Sequence, residues 1–161
     1  MNEIKTHARA ISDVIDGSIV ASVEIAKAPE RVFQALTTPE IIEWWVNPGV
    51  FDTREWSGDI RVGGQWSASG VARGAPYMLV GEFLEVDPPR KLVQTWQMKG
   101  APGTPSTVTY LLERIPGGTR LTVRHAGIAA PEQRNNVGAG WRSSFDQLAE
   151  IMSDRAKKTG R

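Results

Sequence analysis

The stretch PEQRNNVGAGWRSSFDQLAEIMSDRAK, from Pro131 to Lys157, decides the fold. A large apolar residue recurs there every three or four positions, at Val137, Trp141, Phe145, Leu148 and Met152. This spacing predicts a long helix with one apolar stripe, running from about Pro131 to Lys157. Gly138 and Gly140 interrupt it, and each interior glycine costs up to about 1 kcal/mol relative to alanine. Small residues there indicate close packing, space for a ligand, or a tolerated weakness near the helix start.

The segment before this helix predicts a series of strands with regularly spaced turns. The clearest turn is Pro116-Gly117-Gly118, which separates two good strands and predicts a tight hairpin. Connections this short require antiparallel neighbours. The predicted strands are Asp52 to Trp56, Gln65 to Val71, Tyr77 to Val86, Lys91 to Met98, Thr107 to Ile115 and Thr119 to His125.

The amino-terminal part adds one strand and two short helices. Ser18 to Ile25 is rich in β-branched residues and predicts the first strand. Helix-start signals follow at Pro29 and at Thr38-Pro39-Glu40. The chain is therefore predicted to be an α+β protein with the order β-α-α-β6-α. We expect a curved, seven-stranded antiparallel sheet whose concave face carries the long helix and encloses a cavity.

Several sequence segments resemble those of the START-like, or SRPBCC, superfamily, which has the helix-grip fold. They are most similar to the branch named for the C-terminal domain of the activator of Hsp90 ATPase homologue. The carrying segments are Ala28 to Thr37 with Pro39-Glu40 and Trp44-Trp45, Asp59 to Trp66, Gly81 to Leu92, Gly118 to Val123, and Gly140-Trp141. The superfamily includes lipid and hormone binders, polyketide cyclases and co-chaperone domains. The resemblance therefore implies the fold, and it leaves the activity open.

The chain is predicted to form one domain. Residues 1–15 are expected to be a flexible leader or a short extra strand, with residues 11–15 as the candidate strand. Residues 16–153 are expected to form the single START-like domain, and residues 154–161 a disordered tail. The start of the chain carries charges and lacks an apolar signal-peptide core, so the expected location is the cytoplasm.

Composition excludes several functions. The formal charge is +1, with 19 basic and 18 acidic residues, which argues against a polybasic nucleic-acid binder. The chain has no cysteine and only two histidines, so we expect neither a metal site, nor a thiol nucleophile, nor a cofactor. No glycine-rich loop leads into a helix with a following Lys-Ser or Lys-Thr, which argues against a phosphate loop. The sequence contains no run of 18 apolar residues, so no membrane-spanning helix is predicted.

The candidate ligand-binding residues lie on the elements expected to face the cavity. They are Trp66, Gln94, Trp96, Tyr110, His125, Trp141 and Phe145. His125 follows Leu121 and Val123 at period two, so it is predicted to share their core-facing side. It is either a polar handle or proton carrier for a ligand, or a histidine that the protein itself satisfies. No catalytic residue is assigned.

The leading hypothesis is a small-molecule binding protein that holds an apolar or aromatic ligand between the sheet and the long helix. One alternative is an enzyme of cyclase, dehydratase or hydrolase type that uses His125 in the same cavity. A second alternative is a domain that interacts with a chaperone, as the family name implies. The co-chaperone of that family has a further chaperone-binding domain, which a chain of 161 residues is not expected to include. A homodimer is also left open, because a sheet edge can support one.

Overall fold

In the described part of the chain, a curled antiparallel sheet is combined with three helices. The computed structural model describes residues 9–12, 17–47, 49–128 and 130–153. The predicted tail at 154–161, most of the leader and most of the candidate strand at 11–15 lie outside the described residues. Within them, no helix combines the length and apolarity needed to cross a membrane.

The described residues contain nine strands, which form one sheet in the order β1-β2-β9-β8-β7-β6-β5-β4-β3, and each neighbouring pair is antiparallel. The prediction of seven strands is wrong by two, because a short strand flanks each edge of the predicted sheet. The strands are β1 Arg9–Ser12, β2 Ile19–Ile25, β3 Val46–Asn47, β4 Phe51–Gly58, β5 Gln65–Ala72, β6 Ala75–Asp87, β7 Lys91–Met98, β8 Ser106–Ile115 and β9 Gly118–Ala126.

The helices are α1 Pro29–Leu36, α2 Ile41–Trp44 and α3 Pro131–Ile151. Proline begins both α1 and α3, where its missing N–H would have no partner within the helix. The prediction that the last helix reaches Lys157 is wrong, since α3 ends at Ile151. The apolar stripe ends at Met152, the residue that caps α3.

Helix α3 packs against the strands at both ends of the sheet order, β1 and β2 on one side and β3 on the other. A flat sheet of nine strands would separate these edges widely, so the sheet must curl around the helix. Trp141, Phe145 and Leu148 of α3 are fully buried on its concave side. The predicted helix-grip architecture is thereby confirmed.

The alternation along β9 shows how the sequence places side chains in the core. Leu121, Val123 and His125 are buried, whereas Arg120 and Arg124 are exposed. Successive strand residues point to opposite faces, so the apolar residues set the register and carry His125 inward with them. The same rule makes β2 alternate between buried and half-buried residues along its whole length.

Gly81 on β6 is required by a close approach. A Cβ atom there would lie 2.3 Å from the Trp66 Nε1 and 1.9 Å from the Thr95 carbonyl oxygen. Trp66 crosses this glycine and donates its indole N–H to the same carbonyl at 3.0 Å. The missing side chain of Gly81 therefore leaves room for the Trp66 ring, and the hydrogen bond to Thr95 holds that ring in place.

Candidate functional site

Aromatic rings fill the space between the sheet and α3. Trp45, at the end of α2, lies at the centre of this cluster. Its ring centroid is 4.6 Å from that of Trp141, 5.4 Å from that of Phe51 and 6.0 Å from that of Trp96. Trp141 also meets Tyr110, at 5.7 Å, in an edge-on arrangement. Such tilted and edge-on contacts are the favourable geometry for aromatic pairs.

His125 lies within this cluster and is held by hydrogen bonds at both ring nitrogens. The Trp141 Nε1 donates to His125 Nδ1 at 3.0 Å. His125 Nε2 lies 2.7 Å from the Ser106 Oγ, which donates to the Trp96 carbonyl oxygen at 2.9 Å. Because Nδ1 accepts and the Ser106 proton is already used, Nε2 must carry the ring proton and donate it to Ser106. With a neutral imidazole, every donor in this series of hydrogen bonds has an acceptor.

Burial reinforces the neutral state of His125. The side chain is fully buried, and desolvation lowers its pKa from 6.5 to about 4. Tyr110 is also buried, and desolvation raises the pKa of its hydroxyl far above its usual range. At neutral pH both groups are therefore uncharged, and the tyrosine hydroxyl keeps its proton for donation.

An outer cavity of about 200 Å³ opens beside this cluster. It reaches solvent next to Met98 and Asn136, both of which are exposed. The Tyr77 hydroxyl that borders it is 2.6 Å from the Thr53 Oγ1 and so already has a partner. No charged side chain of the described residues lines it. The lining residues are Trp45, Phe51, Ala72, Tyr77, Leu79, Trp96, Met98, Asn136, Val137 and Gly140.

A much smaller inner cavity, of about 20 Å³, lies deeper between the sheet and α3. Trp45, Leu79 and Trp96 border both cavities and so separate them. The remaining lining residues of the inner cavity are Ile41, Trp56, Trp66, Ala68, Gln94, Tyr110 and Trp141. Its volume is close to that of a single water molecule.

Two polar side chains, Gln94 and Tyr110, line the inner cavity. Gln94 is 5% exposed and Tyr110 is 3% exposed. Among the described residues, neither the Gln94 amide nor the Tyr110 hydroxyl makes a side-chain hydrogen bond. Buried polar groups are nearly always paired. The Ser144 Oγ is the fully buried side-chain atom of the described residues that lacks a partner, whereas Gln94 and Tyr110 face the inner cavity, where a guest atom can reach them.

The seven predicted site residues divide into three groups. Trp96 lines both cavities, and Trp66, Gln94, Tyr110 and Trp141 line the inner one. His125 and Phe145 line neither of them; both lie behind Trp141, which contacts each ring. His125 was predicted as a possible polar contact for a ligand. In the structure, both of its ring nitrogens already form hydrogen bonds, with Trp141 and with Ser106.

Most of the outer cavity was missed by the sequence reasoning. Phe51, Tyr77 and Met98 lie at strand ends, where alternation no longer indicates which face is covered. Val137 and Gly140 did carry a signal, since they belong to the apolar stripe and its glycine interruptions. No three His, Cys, Asp or Glu side chains in the described segments converge in a way that could hold a metal ion.

Comparison with known proteins supports the fold and gives a family. Residues 26–153 match the family described as Activator of Hsp90 ATPase homolog 1-like protein. No curated protein has a significantly similar sequence.

Solved structures agree with this match. A protein of Chromobacterium violaceum is 28% identical, covers 84% of this chain and 96% of its own, and has a TM-score of 0.74. The AHSA1 protein of Silicibacter pomeroyi is 26% identical over 83% of this chain and 95% of its own, with a TM-score of 0.67. CalU16 of Micromonospora echinospora is 25% identical over 94% and 89%, with a TM-score of 0.63.

Proposed function

Because this chain belongs to the family of Activator of Hsp90 ATPase homolog 1-like proteins, we propose that it is a small-molecule binding protein. Its ligand is apolar or aromatic and occupies the outer cavity, between β4 to β7 and the first half of α3. The observation that carries the proposal is an open cavity of about 200 Å³ with a nearly continuous apolar wall. Apolar cavities of about 150 Å³ already bind benzene in another protein, so one aromatic ring with a short substituent fits.

The walls of this cavity suit an aromatic guest. Trp45 and Trp96 line it, and Phe51 adds a third ring close to Trp45. Aromatic pairs gain about 0.5–1.5 kcal/mol beyond the area that they bury. A planar ring is therefore favoured over an aliphatic chain of the same volume.

The alternatives receive less support from the described residues. An enzyme would need an acid or base at the cavity, and no carboxylate or imidazole of the described residues lines either cavity. A chaperone partner rests on the family description alone, and a homodimer rests on the sheet edges alone. An apolar small molecule is the partner that a specific observation favours.

Gly140→Ala tests the cavity directly. A Cβ atom there would lie 3.4 Å from the Phe51 ring and would narrow the outer cavity. We expect the affinity for α-methylstyrene, a ring-sized apolar probe, to fall by about four-fold, the equivalent of one methyl group. The free energy of unfolding is expected to rise by up to about 1 kcal/mol, since alanine favours the helix. An amide NMR titration and chemical denaturation measure the two effects.

Gly138→Ala is the matched control. It lies on the same helix, and its added methyl group would meet Ile19 at 3.6 Å, away from the outer cavity. We expect the same gain in stability with unchanged probe affinity. If α-methylstyrene does not bind the wild-type protein, or if both variants bind it equally well, the outer cavity is not the ligand site.

A further inference from the structure

The two polar side chains of the inner cavity lie side by side on the concave face of the sheet. Gln94 pairs with Val108 across β7 and β8, and Tyr110 pairs with Leu92 on the same two strands. Gln94 and Tyr110 are thus diagonal neighbours on one face, and such positions lie about 7–8 Å apart, within reach of long side chains. Both side chains border the inner cavity. One oxygen atom placed there can meet the amide and the hydroxyl together.

We propose that Gln94 and Tyr110 form the polar end of the ligand site and that the ligand is a neutral, ring-sized molecule bearing a carbonyl or hydroxyl oxygen. This inference rests on the proposed function and adds the chemical class of the ligand. The ring occupies the outer cavity, and the oxygen reaches the inner one.

Charge decides that the ligand is neutral. No Asp, Glu, Lys or Arg of the described residues lines either cavity, so nothing there compensates a buried ionic group. An isolated charge in such surroundings is strongly disfavoured. The Tyr110 hydroxyl keeps its proton and donates, while the Gln94 amide both donates and accepts. A carbonyl oxygen accepts from both groups, and a hydroxyl also donates to the glutamine.

Trp45 is the side chain that must move to join the two cavities. Trp44, Trp66 and Trp141 each donate the indole N–H to a protein acceptor and are thereby anchored. Within the described part of the chain, neither the Trp45 nor the Trp96 N–H has such an acceptor, but Trp96 belongs to strand β7, which is paired with a strand on each side. Trp45 also follows the last residue of α2, a helix of only four residues. It is therefore less restrained than the anchored indoles, and its rotation opens the path from the outer cavity to Gln94 and Tyr110.

The test compares two probes that differ in one group. Acetophenone carries a C=O group where α-methylstyrene carries C=CH₂, so their shapes are nearly the same. The readout is the ratio of their dissociation constants, measured by amide NMR titration. We expect Gln94→Leu and Tyr110→Phe each to weaken acetophenone binding by about ten-fold, the effect of losing a buried hydrogen bond. Binding of α-methylstyrene is expected to stay within about two-fold, because the hydrogen bond contributes nothing to it.

Tyr77→Phe is the control variant, because it removes a hydroxyl that borders the outer cavity but is already paired with Thr53. It should leave the ratio unchanged. Benzoate, the charged relative, should not bind where acetophenone saturates.

The outcomes separate the two proposals. If α-methylstyrene binds but neither Gln94→Leu nor Tyr110→Phe changes the ratio, the polar pair is not a recognition site and the apolar pocket stands. Binding of benzoate as tight as that of acetophenone would overturn the neutral class. If neither probe binds the wild-type protein, the proposed function fails and this inference fails with it.

Discussion

The free energy of unfolding is expected to fall by about 2 kcal/mol between pH 7 and pH 5 through His125 alone, as the pKa difference between folded and unfolded chain requires. The folded protein holds this pKa at about 4, whereas the unfolded chain has the ordinary value of 6.5. Below pH 6.5 His125 becomes protonated in the unfolded chain, whereas it stays neutral in the folded protein. The contribution of His125 to the free energy of unfolding is thus fully present above pH 6.5 and is lost progressively as the pH falls toward 4.

The hydrogen bonds of His125 explain why it stays neutral in the folded protein. Protonation would place a hydrogen on His125 Nδ1, the atom that accepts the Trp141 N–H at 3.0 Å. Two donors would then face each other in a dry site. Burial in this desolvated site is what lowers the His125 pKa. The rings around His125, Trp96 and Trp141, bring no charge.

His125→Asn measures this effect. The chain has only one other histidine, His7, which lies outside the described residues, so the wild-type protein is the reference for the pH dependence of stability. His125→Asn should be less stable at pH 7 and should lose most of the slope between pH 7 and pH 5, as followed by urea denaturation. Most carboxylates remain ionised in this window, so they add little to the slope. An unchanged slope in His125→Asn would mean that the imidazole titrates freely in the folded protein.

The sequence predicted the sheet well because strand and turn signals are local. The hairpin at Pro116-Gly117-Gly118 and the alternation along β9 depend only on neighbouring residues. The short strand β3 was missed because it consists of Val46 and Asn47 alone, directly after the short helix α2. A two-residue strand has no periodicity to read, and only its pairing with Phe51 and Asp52 defines it.

The candidate site was predicted less completely, because its chemistry depends on contacts between distant elements. Period-two alternation on β9 correctly placed His125 on the buried face. Its partners Ser106 and Trp141 come from β8 and α3, and no local pattern indicates that they satisfy both nitrogens. Gln94 was predicted as a ligand-binding residue, yet its position beside Tyr110 on the inner cavity is visible only in three dimensions.

Removal of the Trp45 ring is expected to have the largest effect on both stability and binding. Trp45 is 9% exposed and contacts Phe51, Trp96 and Trp141. Trp45→Ala should lower the free energy of unfolding by about 3–5 kcal/mol, the usual cost of such a deletion in a core. Because Trp45 separates the cavities, the same change should join them into one.

The joined cavity should admit larger ligands. We expect Trp45→Ala to bind 2-acetonaphthone, a two-ring ketone, at least about ten-fold more tightly relative to acetophenone than the wild-type protein does, because the extra ring buries further apolar surface. Trp45→Leu retains more of the core and gives the same comparison if the alanine variant does not fold. Trp44→Ala is the control, since Trp44 is equally large and buried but lines neither cavity. It should lose comparable stability without this change in ligand size. If Trp45→Ala and Trp45→Leu keep the wild-type preference between the two ketones, Trp45 does not separate a ligand from the inner cavity.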